Sequence, residues 1–236
     1  MHPSSQEFSL KEKCFVVLVA IFCVVLIITN FIGTKIFSFF SLPLPASLII
    51  YPITFVFNAL ITEVYGKKHA RFMVYLGFFV TLFAFLFVQL IILLPPHPFW
   101  ILSPEVSPLS AEESQQTIKA TFHASGIVLG SSLFAYLCAQ LTDVFVFSKL
   151  SKKTNGKALW FRSSVAIGIS QAVDTTIVSI LVLFFGLQME LSKSFYLILT
   201  TYSVKMAIAF LGTPLLYVFV RLLKKLSHPS IILERA

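Results

Sequence analysis

Apolar residues in this chain gather into six long runs separated by short polar breaks. The runs cover about Cys14 to Gly33, Leu44 to Tyr65, Phe72 to Leu94, Thr121 to Phe147, Ser163 to Leu187 and Phe195 to Leu222. Each holds roughly 20 residues or more, the length of an α-helix that crosses a bilayer core. The breaks carry helix-stopping chemistry. A Pro43-Leu44-Pro45 turn opens the second run, and Pro95-Pro96-His97-Pro98 closes the third. The longest polar segment, about Pro95 to Lys119, carries Glu105, Glu112 and Glu113 and reads as a lid or a plain linker, its Pro and Ser content favouring the linker. The expected fold is therefore an all-α polytopic membrane protein with six transmembrane helices. Residues 1–12 form an N-terminal tail, 13–225 the membrane domain with an external loop at about 95–119, and 226–236 a C-terminal tail.

Composition agrees. Of 236 residues, 57% are hydrophobic and 26 are Phe, and mean hydropathy is +0.90. Charged residues make up 12%, against roughly 25% in soluble domains, which excludes a soluble fold. The net charge of +8 does not point to nucleic acid, because the basic residues sit in clusters between the apolar runs. Fourteen lie in the N-terminal tail, the loops around Lys67 and Lys152 and the C-terminal end, whereas Lys35, Lys119 and Lys193 lie on the other side. The positive-inside rule then puts both termini in the cytoplasm and demands an even number of spans. A weak echo relates Ala59–Tyr65 to Ala139–Phe145, so the second and fourth spans read as equivalent and parallel, an internal symmetry common in transporters. Cys14, Cys23 and Cys138 lie inside apolar runs with no metal or redox spacing. No cleavable signal peptide, no phosphate-binding GxxxxGK[ST] loop and no cofactor motif is expected.

Polar residues inside spans are costly, roughly 2.5–3.5 kcal/mol for a charge at the bilayer centre, and are the functional candidates by default. Asp174 lies twelve residues past Arg162 and Lys205 twelve past Lys193, so each sits about 18 Å into the membrane. The two are expected to form a buried ion pair. Gln171 and Ser170 share a helical face with Asp174, and Tyr202 shares one with Lys205. Gln140 and Asp143 repeat the Gln-x-x-Asp spacing on the fourth span. Asp143 either joins the site or pairs with the lysines of the loop that follows, Lys149, Lys152, Lys153 and Lys157. Glu63 either joins the site or pairs with Lys67 or Arg71. Asn30 and Asn58 complete the set. Carboxylates accept paired N–H donors, and amides both donate and accept, which suits a small, planar, polar heterocycle. Many zwitterions suit it too.

These residues also carry a family resemblance. Tyr51-Pro52-Ile53-Thr54-Phe55 running into Glu63-Val64-Tyr65-Gly66-Lys67-Lys68, then Gln140–Phe147, Ser170–Thr175, Tyr202–Lys205 and Thr29-Asn30 resemble the queuosine precursor transporters, also called the vitamin uptake transporter family. The resemblance spans about residues 12 to 225. It implies a multi-pass importer in the bacterial inner membrane for 7-deazaguanine bases used in tRNA modification: queuine, 7-cyano-7-deazaguanine or 7-aminomethyl-7-deazaguanine. It also implies similarity to the substrate-binding components of ECF transporters. Family members often carry Asp where this chain has Ala59, which suggests a roomier pocket favouring a bulkier precursor such as queuine.

Two transport readings stand open. The chain works alone, or it is the vitamin- or nucleobase-binding subunit of a multi-component, ECF-like transporter. Expected partners are the planar base, membrane lipid, and a second copy or an energising subunit. An intramembrane enzyme is disfavoured, since His2, His69, His97, His123 and His228 show no catalytic or ligand spacing. A scaffold gains little from mid-span charge.

Overall fold

The computed structural model describes residues 9–32, 35–39, 42–100, 109–122, 126–181 and 191–227. Expectations for the first eight residues, the centre of the long loop, the end of the fifth span and the last nine residues lie outside the described residues. The described elements are α1 (Leu10–Ile32), β1 (Ile36–Phe39), β2 (Leu42–Pro45), α2 (Ser47–Ile50), α3 (Pro52–Val64), α4 (Lys67–Ile92), α5 (Ala111–Phe122), α6 (Gly126–Lys153), α7 (Leu159–Val178) and α8 (Leu191–Ser227). Five helical stretches are long and apolar enough to cross a membrane; α2 and α3 together form one of them, Ser47–Val64. A sixth arises if the two halves of α8, Ile198–Phe210 and Pro214–Lys225, count as one span bent by 42°. Pro214 explains the bend, because it lacks an N–H and its ring crowds the carbonyl one turn back. The chain is thus an all-α polytopic membrane protein with one small β-ribbon.

Helix direction follows from contacts at one end of the bundle. The Tyr65 hydroxyl, just past α3, donates to the Lys11 carbonyl at the start of α1. Lys67 at the start of α4 lies over the Phe145 ring of α6. Glu63 near the end of α3 meets Arg162 in the first turns of α7 and Lys224 near the end of α8. The spanning segments therefore alternate in direction, and the Lys/Arg clusters share one end. In α3 and α6, Thr54 and Asn58 meet Gln140, and Glu63 approaches Ser151 through Arg162, so these helices run parallel. That is the relation suggested by the echo between them.

Three expectations change. The Pro43-Leu44-Pro45 segment is not a bare turn. It forms β2, paired antiparallel with β1 from Ile36↔Pro45 to Phe39↔Leu42. Proline fits an extended strand when no partner needs its missing N–H, which a two-stranded ribbon allows. The loop near Pro95–Lys119 is not a plain linker either, because α5 occupies its second half. Ser110 caps α5: its backbone N–H and hydroxyl donate to Glu113, holding that carboxyl below its usual range, while the Glu113 N–H donates back to the hydroxyl. Gln89 and Gln115 tie α5 to α4. The fourth span runs on to Lys153, so Lys149, Lys152 and Lys153 ride its last turns, where the helix dipole favours cations.

Gly66, between α3 and α4, has φ +88° and donates to the Ile61 carbonyl, a reversal that only glycine makes without strain. Tight packing of α1, α4 and α6 rests on Gly77. A methyl group there would come within 2.6–2.8 Å of Leu26, Phe22 and the Tyr136 hydroxyl. Gly77→Ala should lower stability by about 1–3 kcal/mol through overpacking. Gly130→Ala, where a methyl group meets nothing within 4 Å, should not. Thermal unfolding of both variants in lipid nanodiscs checks this; equal loss, or none, would contradict the close approach.

Candidate functional site

A cavity of about 460 Å³ lies in the half of the bundle away from the Lys/Arg clusters. That volume is within the range of small-molecule sites. Its walls come from the last turns of α1, from α2 and Tyr51, and from the middle of α4. The end of α5, the first half of α6, the second half of α7 and the first half of α8 complete them. Phe31 and Phe122 meet edge to face at 5.5 Å in its wall, where α1 and α5 end. Phe85 adds a third ring.

Inside the cavity, Lys205 Nζ lies 2.7 Å from Asp174 Oδ2, as the depth count anticipated. The Tyr51 hydroxyl donates to Asp174 Oδ1 at 3.3 Å, and Lys205 sits 5.6 Å above the Tyr51 ring. Asp174 and Lys205 keep 8% and 14% of their side-chain surface exposed, so both reach the cavity while largely shielded. An ion pair in such surroundings is held because either charge alone would be far costlier. Tyr51 was not singled out as a site residue. It opens the Tyr51–Phe55 stretch that carries the family resemblance, but neither depth nor charge marked it as a site residue. Its role appears only when the break between α2 and α3 aims it across the bundle at Asp174.

Of the ten residues singled out in the sequence, Asp174, Lys205 and Asn30 line this cavity. The Asn30 amide also donates to the Leu26 carbonyl. Two residues form a layer beneath it. Gln140 Nε2 donates to the Thr54 hydroxyl at 3.1 Å, and Asn58 Nδ2 donates to the Gln140 side-chain and backbone carbonyls. The Thr54 hydroxyl in turn donates to the Tyr51 carbonyl, so this layer is linked to the cavity wall. Ser170 and Tyr202 spend their hydroxyls on the carbonyls of Ile167 and Gly168. Gln171 is buried, and its side-chain oxygen has no hydrogen-bond partner among the described residues.

Two charges sit differently from either reading of the sequence. Asp143 does not pair with Lys149, which lies over the Phe145 ring instead. Its carboxylate is 1% exposed and lies between α3 and α7, where Asn58 and Ser170 approach it. Glu63 does not pair with Lys67 or Arg71. It meets Arg162 at 2.9 Å and Lys224 at 3.0 Å. Arg162 is no loop cation: it is fully buried and also donates to Ser151 and to the Gly156 carbonyl. Its planar fork serves three acceptors at once, which an ammonium could not do in that geometry. Ala59 packs in the core against α8 with Leu216 and Val220, and it is not on the cavity wall. It therefore gives no extra room for a bulkier base.

Residues 45–219, well over half of the chain, match the family described as "Putative vitamin uptake transporter". The chain belongs to the vitamin uptake transporter family. The matched stretch contains the Asp174–Lys205 and Glu63–Arg162 pairs and the Gln140–Asn58 layer, but neither Lys224 nor the α1 wall of the cavity. A curated relative from Bacillus subtilis (strain 168), named "Probable queuosine precursor transporter", is 28% identical over 184 residues, which cover 78% of this chain and 74% of that protein. No solved structure matches the chain. A multi-pass membrane protein of a transporter family thus carries a largely apolar cavity, with an ion pair in its wall, in the half away from its basic end. That basic end is closed around Arg162.

Removing one member of a buried pair strands the other. Arg162→Gln should therefore cost about 3–5 kcal/mol. Lys224 is half-exposed and solvent-screened, so Lys224→Gln should cost under about 1 kcal/mol. Denaturant unfolding in mixed micelles separates the two; comparable losses would contradict a central role for Arg162.

Proposed function

We propose that the chain imports a 7-deazaguanine precursor of queuosine across a bacterial inner membrane. In this reading the chain crosses six times, and its basic end faces the cytoplasm. The observation that carries it is the Asp174–Lys205 pair in an aromatic-walled cavity. A guanine-like edge offers two N–H donors beside a carbonyl acceptor. A carboxylate next to an ammonium is the complementary edge. Asp174 takes the two N–H groups, Lys205 turns to the carbonyl, and Phe31, Phe85 and Phe122 offer faces to the planar ring. Tyr51 steadies the carboxylate while the ion pair opens.

The remaining expected site residues act behind this edge. Asn30 contacts the base from the α1 wall. Gln140 and Asn58 hold Thr54 and, through it, the Tyr51 backbone. Tyr202 ties α8 to α7 at the Gly168 carbonyl, and Ser170 and Gln171 line the buried face of α7 behind Asp174. Glu63 belongs to the closure of the basic end. The family description and the name of the Bacillus subtilis relative support the transport class.

Charge accounting orders the candidate bases. Asp174 and Lys205 already neutralise each other, so a neutral ligand leaves the cavity balanced. The nitrile of 7-cyano-7-deazaguanine is uncharged, whereas the aminomethyl compound and queuine carry an amine that is protonated at neutral pH. Bacteria that neither make nor import precursors, expressing this chain and fed each base, should regain queuosine in tRNA most readily with the cyano compound. Asp174→Asn removes a charge-assisted bidentate contact and should weaken uptake about 10–100-fold. Tyr51→Phe should weaken it less. Full uptake in the Asp174 variant would place the base elsewhere. Tight base binding without uptake would favour the subunit reading instead.

A further inference from the structure

Asp143 is the buried charge that no part of the cavity accounts for. It sits on α6 with 1% of its surface exposed, and neither carboxylate oxygen has a hydrogen-bond partner of good geometry among the described residues. The polar side chains nearest it, Asn58 on α3 and Ser170 on α7, are both neutral. Their well-formed hydrogen bonds go elsewhere, from Asn58 to Gln140 and from Ser170 to Ile167, although both side chains approach Asp143.

The charged groups of α3 and α7 around Asp143 are committed, and so are Tyr51, Lys67, Lys149 and Tyr136. On α3, Glu63 is held by Arg162 and Lys224. On α7, Arg162 is held by Glu63, and Asp174 by Lys205 of α8. The Tyr51 phenol donates to Asp174. Lys67 of α4 and Lys149 of α6 lie over the Phe145 ring. Tyr136, on α6 itself, donates to the Val74 carbonyl of α4. No cation forms an ion pair with Asp143 among the described residues.

An ionised carboxylate in that position has no cation to pair with and only the neutral Asn58 and Ser170 beside it, which leaves most of its desolvation cost unanswered. A carboxylic acid does not need it. A metal ion fits poorly, because no group of three or more metal-ligating side chains occurs among the described residues and the cavity does not reach Asp143. A proton needs neither space nor ligands. Asp143 also lies beside Asn58, the inner member of the Asn58–Gln140–Thr54 layer, whose other side is bonded to the Tyr51 backbone at the cavity wall.

We propose that Asp143 is the proton-binding site of the transport cycle, charged with H⁺ while the basic end is closed and emptied when that end opens. The inference rests on the transport reading. A proton from water on the cavity side binds one carboxylate oxygen, crosses with the base, and passes to water at the basic end. No other bond is made or broken.

Two measurements test it. Infrared spectra of the full chain in lipid, without any base, should show the C=O stretch of a protonated carboxyl at the pH of the uptake assay. Asp143→Asn should abolish this band, and Asp143→Glu should shift it. An unchanged band in Asp143→Asn, or none in the wild type, overturns the proposal. In proteoliposomes acidified on the cavity side, a gradient of one pH unit with one proton per base should hold about a tenfold accumulation of labelled base. Asp143→Asn, fixed in the neutral form, should only equilibrate it, with a ratio of one at every gradient. Accumulation that still follows the gradient in this variant overturns the proposal. If the wild type carries none of the bases, the substrate reading fails. The infrared band then decides Asp143 alone.

Discussion

Lys205 and Asp174 meet at a depth where neither charge could face lipid, and that requirement sets the rotation of two helices. Turning Asp174 inward turns Ser170 and Gln171 inward with it, because they share its face of α7. Turning Lys205 inward brings Thr201, one turn earlier on α8, to the same cavity. Tyr51 then draws the head of α3 to the pair. The other end of α7 is fixed by the same rule, with Arg162 buried against Glu63, Ser151 and the Gly156 carbonyl. With α7 pinned at both places, α3, α6 and α8 are positioned around it. The cavity occupies the half of the bundle where these constraints leave space.

How much of this could be read beforehand depends on whether the information was local. The spans were legible because hydrocarbon demands long apolar runs, and composition alone reports those. The Lys205–Asp174 pair was legible because depth can be counted along each helix. The parallel α3 and α6 were legible from a seven-residue echo. Partners set by long-range packing were not. Glu63 finds Arg162 across 99 residues of sequence, whereas Lys67 and Arg71 are the neighbours a local reading offers. Arg162 itself looked like one more cation in a basic loop, because a count of Lys and Arg cannot tell a buried guanidinium from a solvated one. The β1–β2 ribbon was hidden because its prolines signal turns more strongly than strands. The α5 helix was hidden because a short polar helix following a proline-rich stretch has no apolar run to announce it. Depth was legible for Gln140, Asn58 and Gln171, but which of them would reach the cavity was not.

The echo between α3 and α6 sharpens the meaning of the remaining acid. Glu63 and Asp143 stand at matching places in the two stretches, four residues after Ala59 and Ala139. Both helices run toward the basic end. Yet Glu63 is answered by Arg162 and Lys224, and Asp143 only by neutral groups. Within the described bundle interior, fixed charges otherwise cancel in pairs: Asp174 against Lys205, and Glu63 against Arg162. A bundle whose interior charges cancel is cheap to hold in hydrocarbon, and one that retains a lone carboxylate is not. The interior is therefore neutral in only one protonation state of Asp143, the acid. A conformational change that opens the basic end to water would remove the penalty on the anion. In such a bundle, the protonation of Asp143 and the closure of the basic end are bound to each other by the same desolvation cost that pairs Lys205 with Asp174.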